Sequence, residues 1–223
     1  MAEAKLHIFD LDNTLISCDS DQMWKHHAVR RGLAEPDAIR RADHFIELYD
    51  RGELDADEFI AFQLQEFAGR TVAEVRTMVQ DYFESFLKDF VYPEAKEWID
   101  SLRRRGIPTV ILTATNTSLV APLGEYFQVD ELLGTRLEVV DDRYTGKLAG
   151  DYTMGPAKIP AAAACAARYG LTLEQAAYYG DSINDRFLLE AVGFPVATNP
   201  SPALRELAQQ KNWTIRDFQP AVN

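Results

Sequence analysis

Short apolar runs alternate along this chain with stretches whose apolar residues recur at the three-to-four-residue spacing of a helix. The runs are rich in β-branched and aromatic residues and are bounded by polar residues or glycine, which predicts buried strands. They span residues 5–11, 107–113, 176–181 and 194–198, with a weaker one at 213–218. Helical patterns occur at 93–105, 157–169, 183–192 and 201–210. This alternation predicts an α/β fold with a doubly wound parallel sheet.

Two regions interrupt the alternation. Residues 20–90 carry no strand pattern but several amphipathic stretches, which predict an all-helical insert directly after the first strand. Residues 130–152 consist of short extended pieces around the turn sequence DDRYTGK, which predicts a β-hairpin. We therefore expect an α/β core domain made of residues 1–17 and 91–223, with a helical cap domain, residues 18–90, inserted into it.

Polar side chains stand where three of the predicted strands end or just beyond, and a lysine opens the helix before the third of these strands. In an open α/β sheet, ligands bind at the carboxyl ends of the strands. We therefore expect these side chains to meet at one edge of the sheet, although they are scattered along the chain. They are Asp10, Asp12, Thr113, Lys158, Asp181, Asn184 and Asp185.

Clustered carboxylates at such an edge favour a hard divalent cation, and Mg²⁺ prefers carboxylate, water and phosphate oxygens. Asp10 and Asp12 are two apart on a strand and so share a face. One of them can attack a phosphorus atom while the other protonates the leaving oxygen. Thr113 and backbone N–H groups can hold phosphoryl oxygens, and Lys158 can neutralise the charge that grows on them. The pattern predicts Mg²⁺-dependent chemistry on a phosphate ester.

Composition narrows the possible partners. The formal net charge is -12, and no basic cluster exceeds the three arginines at 103–105, which argues against a nucleic-acid partner. No run of eighteen apolar residues predicts a membrane span, and the first ten residues lack the pattern of a signal peptide. Cys18 and Cys165 match no zinc or redox motif. We expect a cytoplasmic protein, a monomer or homodimer, that acts on a small molecule.

Four motifs in this chain resemble those of the haloacid dehalogenase-like hydrolases, in the same order. They are DLDNT at 10–14, ILT at 111–113, Lys158 and GDSIND at 180–185. The helical insert after the first motif resembles the cap of the phosphoserine phosphatase-like branch. Within that branch the chain looks most like the small phosphatases that include phosphoserine phosphatases and histidinol-phosphatases. The resemblance implies hydrolysis in two steps through an aspartyl-phosphate.

The resemblance also implies a role for each motif residue. Asp10 would be the nucleophile, and Asp12 would be the general acid and then the general base. The phosphate group would be held by Thr113, Ala114 and Lys158. Mg²⁺ would bind to Asp10, to the backbone carbonyl of Asp12 and to Asp181, with support from Asn184 and Asp185.

The chain departs from the phosphoserine phosphatase pattern where the substrate would bind. Asp19 stands in place of a glutamate that takes the substrate's ammonium group, and Gln63 falls near an arginine that binds its carboxylate. TATN also replaces the usual Ser-Gly-Gly in the second motif. These changes favour an amino-alcohol phosphate such as histidinol phosphate over phosphoserine. Asp19 and Asp21 either contact the substrate or only cap the helix that starts near Gln22.

Three alternatives remain at this level. A phosphoserine phosphatase would use the same motifs, and a phosphotransferase or mutase would pass the aspartyl-phosphate to a sugar. A phospho-receiver module also clusters aspartates with a lysine on a parallel sheet. Receivers, however, lack a long helical insert after the first strand and phosphorylate an aspartate on the third strand.

Overall fold

The computed structural model describes residues 3–51 and 53–219 of the 223-residue chain. Six strands form one parallel sheet, in the order β3-β2-β1-β6-β7-β8, and β4 and β5 form a separate antiparallel pair. The strands are β1 (Leu6–Phe9), β2 (Thr109–Asn116), β3 (Glu131–Thr135), β4 (Leu137–Val140), β5 (Arg143–Leu148), β6 (Ala176–Gly180), β7 (Phe194–Thr198) and β8 (Thr214–Arg216).

Helices connect the strands and form the insert. They are α1 (Ser20–Arg30), α2 (Asp37–Arg51), α3 (Ala56–Gln63), α4 (Val72–Ser85), α5 (Pro93–Arg104), α6 (Thr117–Phe127), α7 (Lys158–Arg168), α8 (Arg186–Ala191) and α9 (Pro202–Lys211). In the part of the chain that the structure describes, none of these helices is long and apolar enough to cross a membrane.

Both faces of the sheet are covered, as the continuous apolar strands require. Leu6 and Ile8 of β1 pack on the face that carries α7, α8 and α9. Phe9 packs on the opposite face, with α5 and α6. Helices on both faces of a parallel sheet confirm the predicted doubly wound α/β fold.

The helices α1 to α4 lie between β1 and α5. Trp24 of α1 and Phe67, which follows α3, belong to the same buried cluster as the sheet residue Phe9, so the insert packs directly on the core. Phe45, Phe59 and Phe62 form a separate small cluster inside the insert. These aromatic positions lie at helical spacing and account for the amphipathic pattern of the insert.

A buried ion pair ties α1 to the end of α3. Lys25 Nζ donates to Glu66 Oε2 at 2.6 Å and to the Phe62 carbonyl at 2.7 Å. Trp24 Nε1 donates to the same Glu66 oxygen at 3.1 Å. Because both charges are buried, these hydrogen bonds offset the cost of removing them from water. The contacts fix the segment that carries Gln63.

Two elements differ from the sequence expectation. The hairpin predicted over 130–152 is confined to β4 and β5, while β3 joins the main sheet beside β2. The helix α6, which contains Pro122 in its interior, was not predicted from the sequence pattern. Burial of Leu119, Leu123 and Phe127 outweighs the poor helix propensity of that proline.

Candidate active site

Asp10 follows β1 directly, at the carboxyl edge of the sheet. Its backbone N–H donates to the Tyr179 carbonyl at 2.8 Å, which continues the pairing of β1 with β6. Asp181 follows β6 in the same way, and Asp185 lies one turn later. Carboxylate oxygens of Asp10, Asp181 and Asp185 lie within 4.8 Å of one another. The adjacency of β1 and β6 therefore brings Asp10 together with Asp181 and Asp185, which lie about 170 residues later in the chain.

Lys158 is the cation of this cluster. Its Nζ donates to Asp10 Oδ1 at 2.7 Å, to Asp185 Oδ1 at 2.8 Å and to the Tyr178 hydroxyl at 2.9 Å. Burial disfavours the charged ammonium, but the carboxylates of Asp10 and Asp185 outweigh this and raise the pKa of Lys158 well above its ordinary value. Lys158 is the first residue of α7, which places its side chain over the strand ends.

Asp12 is held away from this cation, by the start of α1 and by the end of β2. Its Oδ1 accepts from the Ser20 N–H at 2.7 Å, and its Oδ2 accepts from the Thr115 hydroxyl at 2.8 Å. Burial, followed by the nearby charge of Asp19, raises the pKa of Asp12 to about 7. Asp10 and Asp12 therefore have different surroundings although they are two residues apart.

Burial is also the main cause that raises the pKa values of Asp10 and Asp181, two members of the acidic cluster. It raises the pKa of Asp10 above its ordinary value, against the opposing effect of Lys158. It raises the pKa of Asp181 strongly, and the charge of Asp185 adds to that effect. A cluster of this kind favours the binding of cations.

The strand β2 continues beyond Thr113, the predicted end of the strand, to Asn116, and its carboxyl end is shaped by close backbone packing. Thr113 Oγ1 accepts from the Thr115 N–H at 3.1 Å, and the Ala114 carbonyl accepts from the Thr135 hydroxyl at 2.6 Å. A Cβ atom at Gly134 would lie 2.8 Å from the Thr113 carbonyl oxygen, so β3 approaches this end of β2 only because residue 134 is glycine. Thr113 itself is buried beside the strand ends.

The GDSIND segment forms a tight turn after β6. The Ser182 N–H donates to Asp185 Oδ2 at 3.2 Å, and the Asn184 N–H donates to Ser182 Oγ at 3.2 Å. A Cβ atom at Gly180 would lie 2.7 Å from the Asp185 carboxyl group, so glycine is required for this approach. The turn fixes Asp185 against Lys158 and places the half-buried Asn184 beside it.

Asp19 and Asp21 lie at the start of α1 and serve different contacts. Asp19 is the N-cap, and its Oδ1 accepts from the Gln22 N–H at 2.8 Å. Asp21 is buried, and its Oδ2 lies 3.2 Å from the Thr115 hydroxyl oxygen. Burial is the main cause that raises the pKa of each of these two carboxyl groups to about 7. The charge of Asp21 adds to this effect at Asp19, and the charge of Asp12 adds to it at Asp21. Helix capping is thus shown for Asp19, while Asp21 contacts the core.

Gln63 ends α3 inside the insert. The residue is buried, and its Oε1 has no hydrogen-bond partner in the part of the chain that the structure describes. A buried acceptor without a donor is costly. A ligand that donates a hydrogen bond would remove that cost.

Three contributors to the site were missed by sequence reasoning. Thr115 and the Ser20 N–H bind Asp12, and the Tyr178 hydroxyl donates to Asp185 Oδ1 at 2.5 Å while accepting from Lys158. Tyr178 lies within an apolar strand, where an aromatic residue predicts only core packing. Thr115 follows Thr113 by two residues on the same strand, so the two side chains share a face of the sheet. This spacing was the only feature of the sequence that could have indicated a role for Thr115 in the site.

Comparison with known proteins supports the family that the four sequence motifs resemble. A sequence profile of the haloacid dehalogenase-like hydrolases matches residues 8–190. The chain is 33% identical over 219 residues to a histidinol-phosphatase of Neisseria meningitidis serogroup C, an alignment that covers 96% of this chain and 99% of that protein.

Two solved structures are similar to this fold. A protein with unknown function from Bordetella pertussis Tohama I has a TM-score of 0.87 and 34% identity, covering 97% of this chain and 99% of the other. A structure described as a phospho-aspartyl intermediate analogue of phosphoserine phosphatase has a TM-score of 0.71 and 20% identity, covering 98% and 95%. At that identity the second likeness concerns the fold alone.

The chain belongs to the haloacid dehalogenase-like hydrolase family. Its sheet order and its flanking helices are those of this family's α/β fold. The enzyme class predicted from the motifs, a phosphatase, is confirmed by the same comparisons.

Proposed function

We propose that this phosphatase is a Mg²⁺-dependent phosphomonoesterase that hydrolyses a small, amine-bearing phosphate ester through an aspartyl-phosphate, with histidinol phosphate as the preferred candidate. The observation that carries the choice of substrate is the excess of carboxylates at the site. Asp19 and Asp21 add to the cluster that Asp10 forms with Asp181 and Asp185. The charge of Asp19 helps to raise the pKa of Asp12, and the charges of Asp10 and Asp12 help to raise the pKa values of Asp19 and Asp21, respectively.

Asp10 is the proposed nucleophile. Its carboxylate oxygen attacks phosphorus and the ester bond breaks, while Asp12 donates a proton to the leaving oxygen. In the second step Asp12 takes a proton from a water molecule, whose oxygen attacks the phosphorus of the aspartyl-phosphate. Inorganic phosphate leaves and the Asp10 carboxylate is restored. The separate hydrogen-bond partners of Asp10 and Asp12 support this division of roles.

The donor set fits Mg²⁺. The carboxylates of Asp10, Asp181 and Asp185 are hard oxygen donors clustered within 4.8 Å, which is the chemistry that Mg²⁺ prefers. We assign Asp10, Asp181 and the backbone carbonyl of Asp12 as ligands, with Asp185 and Asn184 in support. When bound, the ion supplies positive charge that offsets the carboxylates and the phosphoryl oxygens.

Phosphate binding is assigned to Lys158 and to the carboxyl end of β2. Lys158 carries the positive charge, and Thr113 and the backbone of Ala114, on the strand that neighbours β1, offer hydrogen-bonding groups. The contacts of Lys158 with Asp10 and Asp185 support its place next to the nucleophile.

The proposed substrate carries an ammonium group because the site holds more carboxyl groups than Lys158 and one divalent ion can pair. Asp19 is partly exposed, and Gln63 Oε1, which has no hydrogen-bond partner among the described residues, is an acceptor for an N–H group of the substrate. Gln63 is neutral, so it does not attract a carboxylate as an arginine would. An amino-alcohol phosphate offers an ammonium group to Asp19 and N–H donors to Gln63, and it has no carboxylate that would need an arginine. The histidinol-phosphatase of N. meningitidis is similar over nearly the whole chain.

We further propose that residues 18–90 act as a cap domain on a core of residues 1–17 and 91–223. The two connecting segments lie together: the Ser17 N–H donates to the Phe90 carbonyl at 2.8 Å, and Ile16 forms an antiparallel bridge with Val91. A pair of adjacent connections of this kind can serve as a hinge. Closure of the cap would exclude water from the cleft.

A substrate comparison tests the proposal. Initial rates of phosphate release are measured with Mg²⁺ on L-histidinol phosphate, L-phosphoserine and glycerol phosphate, at equal concentrations. We expect the highest kcat/KM for L-histidinol phosphate and the lowest for glycerol phosphate, which has no amine. A preference for L-phosphoserine would make the enzyme a phosphoserine phosphatase. Transfer of phosphate to a sugar without release would overturn hydrolysis in favour of a mutase.

A further inference from the structure

Thr115 lies where the core meets the first turn of α1. Its hydroxyl is 2.8 Å from Asp12 Oδ2 and 3.2 Å from Asp21 Oδ2, and Ser20 Oγ lies 3.4 Å from it. The residue is 3% exposed, so water competes little for these contacts. One buried hydroxyl therefore connects the proposed acid–base residue with two residues of the helical insert.

A threonine hydroxyl has one proton, so it donates to one carboxylate at a time. The shorter distance belongs to Asp12, which is the better placed acceptor. The other Asp12 oxygen is held by the Ser20 N–H at 2.7 Å. With both oxygens engaged, the carboxyl group of Asp12 is restricted to one orientation.

We propose that Thr115 is a positioning residue for Asp12. Its hydroxyl fixes the orientation of the Asp12 carboxyl group and makes that orientation depend on the packing of α1 against the core. The inference rests on the proposed function, because it needs Asp12 as general acid. Thr115 does not touch the reacting atoms in this scheme, since it acts through Asp12.

The test uses the dependence of the rate on the leaving group. An alkoxide needs a proton from the general acid as it leaves, whereas p-nitrophenolate leaves without one. For Thr115→Val we expect kcat/KM for an alkyl phosphate such as L-histidinol phosphate to fall about 10- to 100-fold, the cost of misplacing a catalytic group. For p-nitrophenyl phosphate we expect a change within about threefold. The parameter kcat/KM is chosen because it reports transition-state stabilisation relative to free enzyme and substrate.

Three further variants separate positioning from a structural role. Thr115→Ser keeps the hydroxyl and should restore the alkyl phosphate rate to near the parent value. Thr115→Cys, a weaker donor of similar size, replaces Thr115→Val if that variant does not fold. Thr109→Val is the matched control: Thr109 is fully buried at the opposite, amino end of β2, where its hydroxyl faces Asp130. It should lower the melting temperature without changing the ratio of the two rates.

A selective loss on the alkyl phosphate, restored by Thr115→Ser, supports the proposal. Equal losses on both esters, or unchanged rates in a folded Thr115→Val protein, would overturn it. If the parent enzyme releases no phosphate from either ester, the proposed function itself fails, and that result is visible before any variant is made.

Discussion

Lys158 Nζ lies 2.7 Å from Asp10 Oδ1, although the two residues are 148 positions apart in the chain. The pair is buried, and the same ammonium group also binds Asp185 at 2.8 Å. Removing one partner of a buried ion pair leaves an uncompensated charge, which typically costs about 3–5 kcal/mol. The arrangement joins β1, α7 and the turn after β6, so it contributes to the fold and prepares the proposed nucleophile.

Asp10→Asn should abolish turnover while the protein stays folded. The amide is a poor nucleophile, so we expect phosphate release to fall at least about 1,000-fold. Lys158 keeps its contact with Asp185, and the substitution removes one charge from a repulsive cluster. Circular dichroism and thermal melting check the fold. Turnover retained by a folded Asp10→Asn protein would exclude Asp10 as the nucleophile.

Mg²⁺ should stabilise the folded protein as well as activate it. A ligand that binds only the native state adds about 2.7 kcal/mol at one hundred times its Kd. We therefore expect the melting temperature to rise with Mg²⁺ and turnover to stop with EDTA. Asp181→Asn should reduce the thermal shift.

Asp141→Asn is the control for the Mg²⁺ titration. Asp141 is an exposed residue of the β4–β5 turn with positive φ, a conformation that asparagine also adopts. It removes the same charge far from the carboxylate cluster. Equal thermal shifts in the Asp141→Asn and Asp181→Asn proteins would argue against a metal site at Asp181.

Asp19→Asn should impair amine-bearing substrates selectively. Asparagine keeps the helix-capping hydrogen bond that Asp19 makes to the Gln22 N–H, so stability should change little. Loss of the charge should lower kcat/KM for L-histidinol phosphate about 10- to 100-fold, the value of a charged hydrogen bond. The rate on glycerol phosphate, an alkyl ester without an amine, should stay nearly constant. Asp55→Asn, at the exposed N-cap of α3, provides the matched control. A parallel decline on both substrates would remove Asp19 from substrate recognition.

His7 should make the protein less stable at acidic pH. Burial, aided by Arg105, lowers the pKa of His7 to about 4, whereas its unfolded value is near 6.5. Between these values the unfolded state binds more protons, so this contribution to stability is lost as pH falls from about 6.5 toward 4. We expect it to reach about 2 kcal/mol between pH 8 and pH 5.

Urea unfolding at pH 8 and pH 5 measures this effect in the parent protein and in His7→Phe. Phenylalanine preserves the aromatic contacts with Phe9 and Tyr179 but does not titrate. The difference between the two proteins isolates His7 from the buried aspartates, whose raised pKa values act in the opposite direction. Identical pH dependence in both proteins would contradict the assignment.

The order of residues along the chain was enough to predict the fold class and the acidic residues that follow β1 and β6. Apolar runs alternating with helical patterns predicted the parallel sheet, because a strand buried on both faces needs continuous apolar residues. The chain position of Asp10 after β1 and of Asp181 after β6 then placed both at one edge, since parallel strands share the direction of their carboxyl ends. That argument needs only the order of residues along the chain.

The side-chain contacts of the site, by contrast, depend on how the elements pack against one another. The place of β3 beside β2 and the helix α6 were not predicted because packing against β2 and the core outweighs weak local propensity, as the interior Pro122 shows. Likewise, Thr115 binds Asp12 and Asp21, and Tyr178 binds Lys158, through contacts between residues at least 20 positions apart. Such contacts depend on the register of β1 against β2 and β6 and on the docking of α1. Those are set by the burial of the whole core, which no local pattern records.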